Sequence, residues 1–125
     1  MIKLSIIIPV YNSSKILKKL IAEINSNLYL KLKNNYEIIF VNDFSKDKSW
    51  ETIKKISKEF NFVKGIDLGH NVGQHGAIFI GLKYSIGNKI IMMDDDLQHP
   101  PKSLMSIYEK LDFYDACYTL YLKRK

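Results

Sequence analysis

The sequence is short of cysteine, arginine, proline and long apolar runs, and each shortage closes off a class of protein. Cys117 is the only cysteine among the 125 residues, so no internal disulfide can form. A lone thiol in an apolar, strand-like run fits a reducing compartment and an expected buried position. Arg124 is the only arginine, and the rest of the +6 net charge rests on lysine. Bidentate reading of bases and phosphates favours arginine. No nucleic-acid partner is therefore expected, and a lysine-, asparagine- and isoleucine-rich composition accounts for the charge. No apolar stretch reaches the length of a membrane span, and Met1 leads into a strand pattern without the apolar core of a signal peptide. There is no G-x-G-x-x-G and no G-x-x-x-x-G-K-[ST], which sets aside the dinucleotide fingerprint and the P-loop.

What the chain does contain is a regular alternation of apolar runs and amphipathic segments. Leu4 to Pro9, Glu37 to Val41, Phe62 to Leu68 and Ile90 to Met93 read as strands, with Ala116 to Leu122 as a final strand candidate. Between the first two, Ile16, Leu17, Leu20, Ile21, Ile24 and Leu28 recur at helical spacing, and Ser13 or Ser14 is placed to cap that helix. A second helix is expected from Asp47 to Phe60, with Trp50, Ile53, Ile56 and Phe60 inward and Asp47 favouring the helix dipole. A third opens in Gly69-His70-Asn71-Val72-Gly73-Gln74-His75-Gly76 and runs to about Ile86, where Gly87 is expected to stop it in the left-handed conformation. A fourth spans Pro101 to about Leu111. The order βαβαβαβαβ predicts one α/β domain: a doubly wound, mainly parallel sheet with right-handed crossovers and helices on both faces.

The richest stretch is Lys89 to Pro101, K-I-I-M-M-D-D-D-L-Q-H-P-P. Its apolar run reads as a fully buried strand of a parallel sheet, and Pro100 and Pro101 end the ladder at the aspartates. Ligands of open α/β sheets bind beyond the carboxyl ends of the strands. Asp94, Asp95 and Asp96 would repel one another there unless a cation neutralised them, and a hard cation such as Mg²⁺ or Mn²⁺ takes one or two carboxylates plus substrate phosphates. On spacing alone a solvated acidic turn is equally open. An aspartyl phosphatase would place a hydroxyl residue shortly after its aspartates, whereas Gln98 and His99 follow here. Neither His70 nor His99 is expected to ligate a metal.

Four segments together resemble the family 2 glycosyltransferases, which have a GT-A, Rossmann-like nucleotide-sugar-binding fold. They are I-I-I-P-V-Y-N at Ile6 to Asn12, V-N-D-F-S-K-D at Val41 to Asp47, N-V-G-Q-H-G-A at Asn71 to Ala77, and M-D-D-D-L-Q-H-P-P at Met93 to Pro101. The third and fourth look like the polyprenyl-phosphate glycosyltransferases, such as dolichyl-phosphate mannose synthases and undecaprenyl-phosphate sugar transferases. The resemblance covers nearly all of residues 1–125 but only the N-terminal half of a typical family domain. It implies the nucleotide-sugar-binding portion of a truncated GT-A domain, with the acceptor-binding part absent.

The resemblance also implies roles. Pro9, Tyr11 and Asn12 would hold base and ribose, Tyr11 by stacking and Asn12 by hydrogen bonding. Asp43 would contact the base, although Asn42 and Phe44 stand where the family usually has Asp and Gly, and Phe44 is ill-suited to positive φ. Gln74 would support the nucleotide at a helix N-terminus that favours anions, His75 beside it. Asp94 and Asp96 are the family's D-x-D carboxylates and the expected catalytic pair, with Asp95 between them also at the nucleotide. Asp94, Asp96 and Gln98 would hold Mg²⁺ or Mn²⁺. The implied reaction is inverting transfer of a sugar from a nucleotide-diphosphate donor to a polyprenyl phosphate or a glycan, at the cytoplasmic face of a membrane. Membrane association would come only through parts outside this chain. Two other readings stay open: a non-catalytic, truncated nucleotide-binding module, and a transferase extending a polysaccharide.

Overall fold

A computed structural model describes residues 1–97 and 100–117. Its strands are β1 (Leu4–Val10), β2 (Tyr36–Asn42), β3 (Val63–Asp67) and β4 (Lys89–Met92). Its helices are α1 (Leu17–Leu32), α2 (Ser49–Glu59), α3 (Gly73–Tyr84) and α4 (Leu104–Lys110), the last preceded by a 3-10 turn at Pro101–Ser103. The sheet is parallel, in the order β3-β2-β1-β4. The chain thus steps outward from β1 to β3 and then returns to the other side of β1. Right-handed crossovers on the outward steps put α1 and α2 on one face, and the returning crossover puts α3 on the other.

The two faces follow from the two-residue period of a strand. Leu4, Ile6, Ile8 and Val10 of β1, with Tyr36, Ile38 and Phe40 of β2, pack under Leu17, Leu20, Ile24, Ile53, Ile56 and Leu104. Ile7, Ile39 and Val41 point the other way, onto Ala77 of α3. α3 lies close because Gly81 faces the sheet: a Cβ there would sit 2.5 Å from Ile7 Cγ2. β1 and β2 are buried throughout, as near-continuous apolar runs imply.

The fully buried reading of the Ile90–Met93 strand is corrected. β4 is an outer strand among the described residues, with Ile91 buried and Met92 51% exposed. Gly87 is corrected too, since it does not have positive φ and α3 ends in an extended Ser85. Glycine is required there by proximity, because a Cβ would lie 2.5 Å from the Ser5 backbone nitrogen. Cys117 is free and half-buried rather than buried. Ala116 and Cys117 are not in a strand, and the rest of the expected final strand lies outside the described residues. Among the described residues no helix is long and apolar enough to cross a membrane.

One polar network fastens the β1, β2 and β4 ends opposite the site. Glu37, 2% exposed, accepts from the Ser5 hydroxyl at 2.6 Å and the Ile86 N–H at 2.9 Å, and pairs with Lys64 at 2.6 Å. Ser5 Oγ in turn accepts from the Gly87 N–H at 2.8 Å. Burial pushes the Glu37 carboxyl up, but the Lys64 and Ser5 contacts and the Ile86 N–H outweigh it and leave it below its ordinary value. The unfolded chain therefore binds this proton more tightly than the folded one. The network's contribution is complete above pH 4.5 and is lost as pH falls through the folded value. The urea midpoint should drop as pH goes below that point, and Glu37→Gln should flatten the drop. An identical acid limb in both proteins would remove Glu37 from the account.

Candidate active site

β1 lies between β2 and β4; the connection out of β1 passes over one face through α1 and the connection into β4 over the other through α3, so a crevice opens at the carboxyl ends of β1 and β4. It is a cleft of about 260 Å³ lined by Pro9, Val10, Tyr11, Asp43, Gln74, Asp94, Asp95 and Asp96. The residues expected from sequence at the nucleotide meet there, apart from Asn12. Gln98 and His99 lie outside the described residues.

The loop after β1 is fixed from both sides. Asn12 sits in the left-handed region at φ 54°, its N–H donates to Ser45 Oγ at 3.0 Å, and its Oδ1 accepts from the N–H of Lys46 at 2.8 Å. Its acceptor end is thus engaged by the loop after β2. The expected serine cap of α1 is corrected: the N-cap position is Ile16, with no side-chain hydrogen bond. The Ser13 hydroxyl donates instead to Asp95 Oδ2, and the Ser13 N–H donates to Ser49 Oγ at 2.9 Å. Ser14 N–H donates to Asp47 Oδ2 at 3.2 Å, while Asp47 Oδ1 accepts from the Ser49 N–H at 2.8 Å, so the acid serves the start of α2 as expected. Burial raises the Asp47 carboxyl, but the hydrogen bonds of Ser49 and Ser14 hold it below its usual value.

Asp43, 4% exposed, accepts from Val72 N–H at 2.7 Å and Gly73 N–H at 3.0 Å. The anion at the α3 N-terminus is therefore the protein's own carboxylate. Each carboxylate oxygen keeps a further lone pair, and Asp43 still lines the cleft. Gln74 Nε2 donates to Asp94 Oδ1 at 2.6 Å, orienting that carboxylate from the first turn of α3. Asn42 has a local reason to replace a carboxylate: its Nδ2 donates to Asp67 Oδ1 at 2.8 Å, where an aspartate would face another. Phe44 does adopt positive φ, at 58°, and is 52% exposed.

The acidic loop after β4 completes the cleft. Asp95 Oδ2 accepts from the Tyr11 N–H at 3.2 Å as well as from Ser13. Burial pushes the Asp95 carboxyl up and Asp96 adds to this, against the hydrogen bonds of Ser13 and Tyr11. Asp96 is exposed on the cleft, and Leu97 after it has φ 62°. Asn12, Phe44 and Leu97 thus hold left-handed backbone in the three loops that follow β1, β2 and β4. Such backbone costs of order 1–3 kcal/mol per residue and gathers at ligand sites.

Among the described residues no group of three or more His, Cys, Asp or Glu side chains is placed to hold a metal ion by itself. The donor set does fit a hard cation that shares its ligands with phosphate. Every carboxylate on the cleft is an oxygen donor, Asp94 and Asp96 both line it, and Asp95 is turned to Ser13 and Tyr11.

The sequence profile described as Glycosyl transferase family 2 matches residues 5–124. An undecaprenyl-phosphate 4-deoxy-4-formamido-L-arabinose transferase of Enterobacter sp. is 34% identical over 125 residues, covering 98% of this chain and 38% of that protein. A dolichol-phosphate mannosyltransferase of Pyrococcus furiosus is 36% identical over 109 residues, covering 87% of this chain and 30% of its own length. Among solved structures, the mannosyltransferase PcManGT from Pyrobaculum calidifontis, in complex with GDP-Man and Mn²⁺, superposes with a TM-score of 0.72 at 16% identity. That match covers 83% of this chain and 30% of the other, and establishes a common fold. The chain thus spans well under half the length of each of these relatives.

Proposed function

Since the chain belongs to glycosyl transferase family 2, we propose that residues 1–125 form the donor-nucleotide portion of a metal-dependent, inverting glycosyltransferase whose acceptor is a polyprenyl phosphate. The observation that carries this reading is the convergence of Tyr11, Asp43, Gln74, Asp94 and Asp96 on one cleft at the β1–β4 switch point. The names of the relatives support the lipid-phosphate acceptor, and the GDP-Man and Mn²⁺ bound to the structural neighbour support the donor class and the metal. A transferase acting on lipid phosphates would work at the cytoplasmic face of a membrane.

In this reading Tyr11 offers its half-exposed ring to the base, and Asp43 holds the α3 N-terminus against the cleft while its remaining lone pairs face the nucleotide. Asp94 and Asp96 would hold Mg²⁺ or Mn²⁺, with Gln74 fixing Asp94. When bound, the cation neutralises the diphosphate as the sugar–phosphate bond breaks. The acceptor phosphate is already anionic near pH 7, so the cleft need not supply a strong general base.

Calorimetric titration of UDP and GDP, with and without Mn²⁺, tests the reading. Binding of one nucleotide that depends on Mn²⁺ is expected, and the preferred nucleotide names the base. A folded protein that binds neither would remove the donor site.

A further inference from the structure

We propose that Ser13 and Asp95 are a positioning pair that sets the Tyr11 ring for the nucleotide base, so that the middle carboxylate of the acidic triplet acts on loop geometry rather than on the metal. This rests on the reading of the cleft as a nucleotide-sugar site.

One oxygen, Asp95 Oδ2, accepts from both the Tyr11 N–H at 3.2 Å and the Ser13 hydroxyl. The same serine is anchored behind by its N–H to Ser49 Oγ, on a residue with no exposed surface. The acidic loop, the Tyr11 loop and the start of α2 are thus linked through one residue, Ser13, by its hydroxyl to Asp95 and its N–H to Ser49. Tyr11 itself is 46% exposed, and among the described residues its ring has no aromatic or cationic partner. Its direction is therefore set by its backbone. On one side that backbone is fixed by Asn12, whose Oδ1 is held by the loop after β2. On the other its N–H is held by Asp95, and its carbonyl lies 3.2 Å from the Ser13 hydroxyl. Removing the Ser13 hydroxyl frees one of these restraints and leaves Asp94, Asp96 and Gln74 in place.

The pair therefore acts on the base and not on the diphosphate. Affinities for UDP, GDP and inorganic pyrophosphate, each with Mn²⁺, should be measured by calorimetry on the full-length protein and on Ser13→Ala, Ser13→Thr and Asp95→Ala. Thermal melting confirms folding of each. Ser13→Ala and Asp95→Ala should weaken the preferred nucleoside diphosphate about tenfold, or ~1.4 kcal/mol, and change pyrophosphate by less than about twofold. Ser13→Thr, which keeps a hydroxyl, should restore most of the affinity. Equal weakening of nucleotide and pyrophosphate would assign Asp95 to the metal and overturn the proposal, as would folded variants that bind the nucleotide like the unaltered protein. If the unaltered protein binds pyrophosphate but neither nucleotide, the donor-site reading fails first and takes the pair's role with it.

Discussion

In the proposed reading, alanine at Asp96 should lower sugar transfer to polyprenyl phosphate between about a hundredfold and a thousandfold, the range seen when one group that stabilises developing charge, here through the cation it would hold, is removed. The reasoning is local. Asp96 is the most exposed carboxylate of the triplet and lines the cleft together with Asp94. The loss should fall on kcat and on Mn²⁺-dependent nucleotide affinity together, because the same carboxylate would hold the cation both in the bound ground state and as the diphosphate departs. Thermal stability should change little, since the side chain is exposed. Asp96→Asn should lie between the two, keeping an oxygen donor without its charge. Steady-state kinetics across a Mn²⁺ series would measure this. Unchanged kcat/KM in a folded Asp96→Ala protein would take this residue out of the chemistry.

Gly87→Ala should cost about 3 kcal/mol of stability, at the upper end of what overpacking exacts. The added methyl would lie 2.5 Å from the Ser5 nitrogen and 2.6 Å from the Leu4 carbonyl carbon, and backbone atoms cannot rotate aside as side chains do. Either β4 withdraws from β1 or the β1 end bends, and both break the Gly87 N–H bond to Ser5 Oγ. Gly69→Ala is the matched control, because nothing lies within 4 Å of its would-be Cβ. Urea unfolding of the two variants should give a lowered midpoint for the first and a nearly unchanged one for the second. Equal midpoints would mean that the sheet end yields more easily than its contacts suggest. Since β4 leads directly into the acidic loop, Gly87→Ala should also weaken nucleotide binding from the opposite end of the strand.

The sequence made the layers legible because burial imposes periods. The apolar runs of β1 and β2, and the 3.6-residue spacing of Ile21, Ile24 and Leu28, mark segments that the structure buries. It also made legible which loops carry the site, since ligand sites of parallel sheets lie at the carboxyl ends of the strands. What escaped was the side-chain wiring between loops. Ser13 reads as a helix cap because serine before an apolar helix usually is one, and nothing local reveals an aspartate 82 residues away. Gly87 reads as a helix stop for a similar reason, although its cause is the neighbouring strand. The burial of β4 was overestimated because an apolar run reports composition, not the number of neighbours a strand finds. Phe44 shows the converse: its unsuitability for positive φ was readable, and the structure imposes that conformation nonetheless.

The placement of β1 between β2 and β4 has a kinetic consequence. Leu4 pairs with Tyr36 on one side and with Lys89 on the other, so the second pairing closes a loop more than twice as long as the first. Each doubling of loop length adds only about 0.6 kcal/mol of closure entropy, so the topology weighs little on stability. It weighs on assembly, because distant pairings form slowly. During synthesis β1, β2 and β3 can associate while β4 is still to be made. The crevice, which requires β1 and β4 side by side, comes into being only when the longest loop of the sheet has closed.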